Sequence, residues 1–265
     1  DAAFLQLKLP KTNYYVGEPF IVSVDLFAIA EQNKDELPAL TANGFTPGKM
    51  TPLGGQVVNY GGRNLARYSY QTLISASQPG NQWLGPAKFA AHLPAPNARR
   101  DFFGRIVDWR DVVVTNAPIA VTVRPLPTVN VPPQFNGSVG NFRLTATATP
   151  TDVAVGDPIT LKVEITGNGQ VDGLRLPEQP QWKEFKVYPP TAKMEGISPV
   201  GLGGKKTFEQ VLVPQSTETH LIPPLVFSYF DPDAGVYRTL SSPAFSLIVR
   251  PTASAQPVAM TEETN

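Results

Sequence analysis

Two stretches decide the fold: YVGEPFIVSVDL, Tyr15 to Leu26, and AVGDPITLKVEI, Ala154 to Ile165, which lie 139 positions apart. Each opens with Val-Gly-acid-Pro and continues in alternation. Period-two alternation places one set of side chains on one face of a strand. Phe20, Val22, Val24 and Leu26 form such a set, opposite Ile21, Ser23 and Asp25. Ile159, Leu161, Val163 and Ile165 form the second, opposite Thr160, Lys162 and Glu164. Each segment therefore reads as a strand with one buried and one wet face. Gly17-Glu18-Pro19 and Gly156-Asp157-Pro158 read as turns into these strands, glycine supplying a permissive φ and proline fixing the next.

The match extends outward from this pair. YQTLISASQPGNQWLGPAKF, Tyr70 to Phe89, superposes without gaps on FEQVLVPQSTETHLIPPLVF, Phe208 to Phe227, at a spacing of 138. IAVTVRP, Ile119 to Pro125, matches FSLIVRP, Phe245 to Pro251, at 126, so the first copy carries about 12 extra residues after Phe89. Three matches in one order define an internal repeat. Short alternating strands separated by Gly, Pro and Asn turns predict an all-β protein of two tandem immunoglobulin-like antiparallel β-sandwich domains. The first spans residues 1–125, with an insertion near 95–111. Residues 126–251 hold a short Pro-rich linker, LPTVNVPPQFNGSVGN from Leu126 to Asn141, and the second sandwich. The linker reads as stiff and extended, limiting rotation and giving a rod. The tail, 252–265, has no periodicity and reads as flexible.

Composition agrees. Of 265 residues, 28 are Pro and 21 Gly, and the widest proline-free gap, 53–78, is itself broken by Gly54-Gly55 and Gly61-Gly62, which excludes long helices. An apolar fraction of 42% excludes a disordered chain. The net charge is zero, with +3 on residues 1–125 and −3 on 126–265, so nothing favours a polyelectrolyte partner such as nucleic acid. Without cysteine there is no disulfide, thiol nucleophile, iron–sulfur cluster or thiolate zinc site. The Cys…Trp…Cys core of antibody domains is missing, so packing must hold each sandwich.

The residues offer little chemistry. His92 and His220 share no ligand spacing and read as solvated or strand-edge side chains. Gly196-Ile-Ser198-Pro-Val-Gly201 misses a nucleophile elbow by one position and reads as a loop. Gly167-Asn-Gly169-Gln-Val-Asp-Gly173 misses the dinucleotide fingerprint and reads as a turn. Asp231-Pro-Asp233-Ala-Gly235 begins like a calcium loop but lacks the distal ligands, and a hairpin turn between the strands around Phe227 and Tyr237 is expected instead. Asn136-Gly-Ser138 is a lone glycosylation sequon, read as a turn of the linker. No catalytic, cofactor-binding or metal-binding residue is assigned.

The insertion stands out. In APNARRDFFGRIVDWRD, Ala95 to Asp111, Phe102, Ile106 and Trp109 recur at helical spacing while Arg99, Arg100, Arg105 and Arg110 alternate with acids. Aromatics with arginine are enriched at interface hot spots. Arg99, Arg100, Phe102, Phe103, Arg105, Ile106, Trp109 and Arg110 are therefore the candidate partner-binding residues. The competing reading folds the insertion back over its own sheet edge or core.

From Pro132 to Pro251, PPQFNGSVGNFRLTATATP, VAVGDPITLKVEITGNGQV, KTFEQVLVP and IPPLVFSYFDPDAGVYRTLSSPAFSLIVRP follow in order. This combination resembles the BatD family, the bacterial aerotolerance-operon proteins, and the first copy resembles it more weakly. The resemblance implies an exported protein with immunoglobulin-like domains on the outer, periplasmic side of the cytoplasmic membrane, anchored by a segment outside these residues. It also implies a membrane complex for stress and oxygen tolerance with von Willebrand A-domain proteins and, indirectly, a MoxR-type AAA+ ATPase. The expected function is a non-enzymatic scaffold or interaction module without cofactor. The alternative is a carbohydrate-binding or adhesive β-sandwich module, which would need a solvent-facing aromatic row that Trp83, Trp109 and Trp182 are too scattered to promise. A hydrolase would need carboxylates converging in a cleft.

Overall fold

The computed structural model describes residues 2–30, 32 and 36–252. Eleven strands occupy the first part: β1 (Ala3–Lys8), β2 (Asn13–Tyr15), β3 (Pro19–Ala28), β4 (Ala39–Leu40), β5 (Phe45–Pro47), β6 (Thr51–Tyr60), β7 (Arg63–Ala76), β8 (Gly80–Leu84), β9 (Ala87–Pro94), β10 (Trp109–Thr115) and β11 (Ile119–Arg124). Twelve follow: β12 (Phe135–Val139), β13 (Phe142–Thr149), β14 (Asp152–Ala154), β15 (Ile159–Gly167), β16 (Phe185–Val187), β17 (Thr191–Glu195), β18 (Gly204–Pro214), β19 (Leu221–Ile222), β20 (Val226–Asp231), β21 (Val236–Ser241), β22 (Phe245–Ser246) and β23 (Ile248–Arg250). The protein is all-β, with most strand pairs antiparallel, as the turn-rich alternation predicts.

The duplication is visible in topology. The order β1-β3-β7-β5, with β6 also on β7, repeats as β13-β15-β18-β16, with β17 also on β18. Opposite lie β10-β9-β4 and β2-β11-β8 in the first part, and β12-β20-β21, β14-β23 and β19-β22 in the second. The inward sets are the predicted ones. Val22, Val24, Leu26, Ile159, Leu161, Val163 and Ile165 are wholly buried, and Phe20 nearly so. Each such side chain contributes about 1.5–3 kcal/mol relative to exposure, so these two strands anchor their cores.

The Val-Gly-acid-Pro turns are built alike. The Glu18 N–H donates to the Tyr15 carbonyl (3.0 Å) while its carboxylate accepts from the Tyr15 N–H (2.8 Å). Asp157 repeats both bonds with Ala154, each at 3.0 Å. Gly17 and Gly156 sit at φ +81° and +91°, where a Cβ would be strained. From each turn, one N–H reaches the final strand and one the middle strand. Val16 donates to the Arg124 carbonyl and Gly17 to that of Ala76; Val155 donates to Arg250 and Gly156 to Pro214. Donors and acceptors together are residues paired by the three sequence matches.

Some expectations are corrected. Asp25 alternates outward yet is buried, because Lys8 Nζ (2.8 Å) and the Ser69 hydroxyl (2.6 Å) cover its carboxylate. Part of the expected linker is a strand: Asn136-Gly137-Ser138 lies in β12, which pairs parallel with β20, instead of forming a turn. Its cause is the edge of β20 away from β21, where Phe135 also packs on Tyr237 at 4.9 Å. Of the predicted tail, residues 253–265 lie outside the described ones.

β20 is buried on both faces. Phe227 and Tyr229 join the core of the second part, while Phe230, on the opposite side, is wholly buried by an aromatic group. Tyr15, from the first turn, meets it edge-on at 4.8 Å and Tyr237 at 5.1 Å; the Tyr237 hydroxyl donates to the Pro127 carbonyl (2.7 Å). Phe230→Ala should therefore cost about 3–5 kcal/mol in urea denaturation despite lying off the inward set; a loss below about 1 kcal/mol contradicts this packing.

Candidate functional site

The insertion is not a helix. It prolongs the β9–β10 hairpin, with the Ala95 N–H donating to the Asp108 carbonyl, Val107 to Arg99 and Asp101 to Arg105, and a bridge between Arg100 and Ile106. The helical spacing of Phe102, Ile106 and Trp109 is overridden by turn chemistry. The Asp101 carboxylate accepts from the Phe103 (2.9 Å) and Arg105 (2.8 Å) N–H groups, and Gly104 takes φ +76°. A local side-chain acceptor of this kind competes with helical bonds. At the matching place the second copy has only the short turn from Pro232 to Gly235, closed by the Gly235 N–H on the Asp231 carbonyl.

Neither does the tip fold back over the core. Phe102 is 97% and Phe103 78% exposed, their rings edge to face at 5.5 Å. The Arg105 guanidinium lies 5.9 Å over the Phe103 ring. Arg100 donates to the Gly104 carbonyl, and Arg99 forks onto Asp108 with two 2.9 Å bonds. Ile106 is half-buried, its carbonyl accepting from the Trp109 indole N–H, and the Trp109 ring stacks on His92 at 5.0 Å. Arg110 is opposite Leu93 in the ladder, on the face away from Trp109. The structure thus gathers Phe102, Phe103 and Arg105 at one tip, uses Arg99 and Arg100 to stiffen it, and leaves Arg110 apart.

Other acids serve the scaffold. Asp231 is buried, its carboxylate accepting from the Asp233 and Ala234 N–H groups (3.1 Å each) and from Arg238 Nε (2.6 Å). Burial pushes its pKa up, but Arg238 and these N–H groups outweigh it and hold the carboxyl below the usual range. This loop is the expected hairpin turn between β20 and β21. Glu164, Glu195, Lys162, Lys193 and Lys205 form an ion-pair ladder on the outer face of β15, β18 and β17, in which Lys205 and Lys193 hold Glu195 at about 2. Among the described residues there is no group of three or more His, Cys, Asp or Glu able to hold a metal ion. Ser198 accepts from the Leu202 N–H within a loop, as expected. Trp182 is buried, its indole donating to the Pro223 carbonyl, and Trp83 and Trp109 sit on different sheets.

Sequence reasoning missed a groove of about 430 Å³ in the second part, walled by Leu176, Pro177, Trp182, Tyr188, Pro189 and Pro190. The proline clusters at 177–180 and 189–190 are its only signal in the sequence. Here Pro189-Pro190 break the edge strand between β16 and β17.

Fold and site together define an all-β protein of paired antiparallel sheets, built on a duplicated module with an arm on its first copy. Residues 146–249 match the family described as BatD DUF11 like domain, so the chain carries a BatD-family domain and the resemblance read from the sequence is borne out there. No curated protein matches the chain. Among solved structures, domains 4–9 of the surface layer protein SbsC are similar at 9% identity over 94% of this chain, with a TM-score of 0.19. The chain spans 31% of that structure's length. Among the described residues, no helix is long and apolar enough to cross a membrane.

The Arg99–Asp108 fork makes a titration prediction. Hydrogen bonds from the Arg99 side chain and N–H depress the Asp108 pKa to about 2. A depressed carboxylate supports the folded hairpin above its unfolded value, ~3.9, and loses that support as pH falls through about 2. The Arg99 amide resonance should titrate with a midpoint near 2; a midpoint near ~3.9 contradicts the fork.

Proposed function

We propose that the chain is a non-enzymatic scaffold of the BatD type. It acts on the extracytoplasmic side of a bacterial membrane, in a stress and oxygen tolerance complex, as the docking platform for a von Willebrand A-domain protein, with a MoxR-type ATPase engaged indirectly. The observation that carries this reading is the stiffened hairpin that presents Phe102 and Phe103 to solvent. Two largely exposed phenylalanines are costly to keep on a surface without a partner, and aromatic residues beside arginine are what interface centres use. The second copy supplies an internal comparison, since the same module closes that hairpin with a short turn. The buried acids Glu18, Asp25 and Asp231 are taken up by structural bonds, which supports a role of shape and surface.

The test is a titration with a purified von Willebrand A-domain protein of the kind the BatD resemblance implies, read by biolayer interferometry. F102S/F103S should weaken binding by at least about tenfold at unchanged thermal stability. Equal binding by the variant would remove the hairpin from the interface.

A further inference from the structure

One edge of β6 is bare. The strand runs ten residues and, among the described residues, pairs only with β7. The turn between them, Gly61-Gly62 at φ +59° and +80°, has the type I′ form, which makes Tyr60 and Arg63 a hydrogen-bonded pair. By alternation from that pair, Val58 and Gln56 turn their N–H and C=O groups to β7, while Asn59, Val57 and Gly55 turn theirs away. The three outward residues have no ladder partner among the described residues. Side chains shield them little, since Val57 is 75% and Leu53 50% exposed. Charges and prolines are what usually keep an edge from pairing. From Thr51 to Gly62 there is no charged residue, and the single proline, Pro52, lies beyond a bulge at the far end. In the corresponding place of the second copy, β17 is five residues long, follows Pro189-Pro190 and carries Lys193 and Glu195.

We infer that the free edge of β6 pairs with the same edge of a second copy of this chain, antiparallel about a two-fold axis at Val57. Edge polarity sets this register. Val57 faces Val57 of the second copy and Gly55 faces Asn59 on either side, so every outward N–H and C=O of the three residues is bonded. Charge selects the occupant. An uncharged edge offers a charged strand no counter-charge, and among the described strands longer than five residues β6 alone has no charged side chain. In this register the first charged residue, Arg63, meets Thr51, so no like charges are opposed. The contact is isologous and uses up the edge, so assembly stops at the dimer and joins two five-stranded sheets edge to edge. One strand edge against another buries less than the ~1,600 Å² of a standard interface, which places the association in the micromolar-to-millimolar range. The contact lies outside the Phe102–Phe103 arm and does not depend on the docking role proposed for it.

Sedimentation equilibrium of the chain over that concentration range reads the proposal. The unaltered chain should pass from monomer to dimer and no further. Val57→Lys and Val57→Glu each set like charges face to face across the axis, so each should stay monomeric. Mixed in equal amounts they should dimerise again, a result that misfolding of either variant would not produce. Because the chain has no native cysteine, mild oxidation should cross-link Val57→Cys into dimers and leave Leu53→Cys uncoupled, which reads the register. F102S/F103S should dimerise like the unaltered chain. A monomer throughout, association unchanged in Val57→Lys, no recovery in the mixture, cross-linking of Leu53→Cys as fast as that of Val57→Cys, or species larger than the dimer overturns the proposal. So does loss of the dimer in F102S/F103S, which would move the contact to the arm. A monomeric chain whose Val57→Lys variant loses the von Willebrand A-domain protein also overturns it, since the edge would then belong to that partner.

Discussion

Each copy of the module is closed by two main-chain hydrogen bonds sent out from one four-residue turn. Val16 reaches the last strand and Gly17 the middle one; Val155 and Gly156 do the same. Without these ties, three segments separated by tens of residues would have to find their register through side-chain packing alone. A backbone bond of this kind is worth only about 0.5–1.5 kcal/mol net. Its importance is geometric: it commits the strands flanking the core to one offset, and a one-residue slip would turn an inward set such as Val22, Val24 and Leu26 to the solvent. The acid of the turn is part of the device, since Glu18 and Asp157 use their carboxylates to lock the N–H three residues earlier.

Much of this was legible in the residues. Alternation named the inward faces of β3 and β15, and the repeat spacings of 139, 138 and 126 named the segments that the turn ties together. What escaped the reading depended on partners distant in sequence. Asp25 alternates outward but is covered by Lys8 and Ser69 from neighbouring strands. Phe135 to Val139 carries a linker's composition but is drawn into a parallel pairing by the edge of β20. The spacing of Phe102, Ile106 and Trp109 is helical on paper, but Asp101 and Gly104 impose a tight turn that no helix survives. The groove beside Trp182 had no periodic signature because its walls come from loops, where side-chain direction is not set by a period.

The two copies differ most at one hairpin. The core strands repeat in order and register, so the shared part is the part that folds. The first copy prolongs its β9–β10 hairpin into a stiff arm bearing Phe102 and Phe103, whereas the second keeps a short turn and instead seats Phe230, itself packed on Tyr237, against Tyr15 of the first. Duplication thus leaves one hairpin free to face outward while its counterpart helps join the halves.

Native-state hydrogen exchange at the Val16, Gly17, Val155 and Gly156 amides tests this account most directly. If the turns hold the strands together, these four N–H groups exchange only through cooperative unfolding of the sheets they join, at protection close to that of the Val24 and Val163 amides. Exchange at the rate of ordinary surface turns, with the flanking strands still protected, would show that packing alone sets the register and that the turns merely follow it.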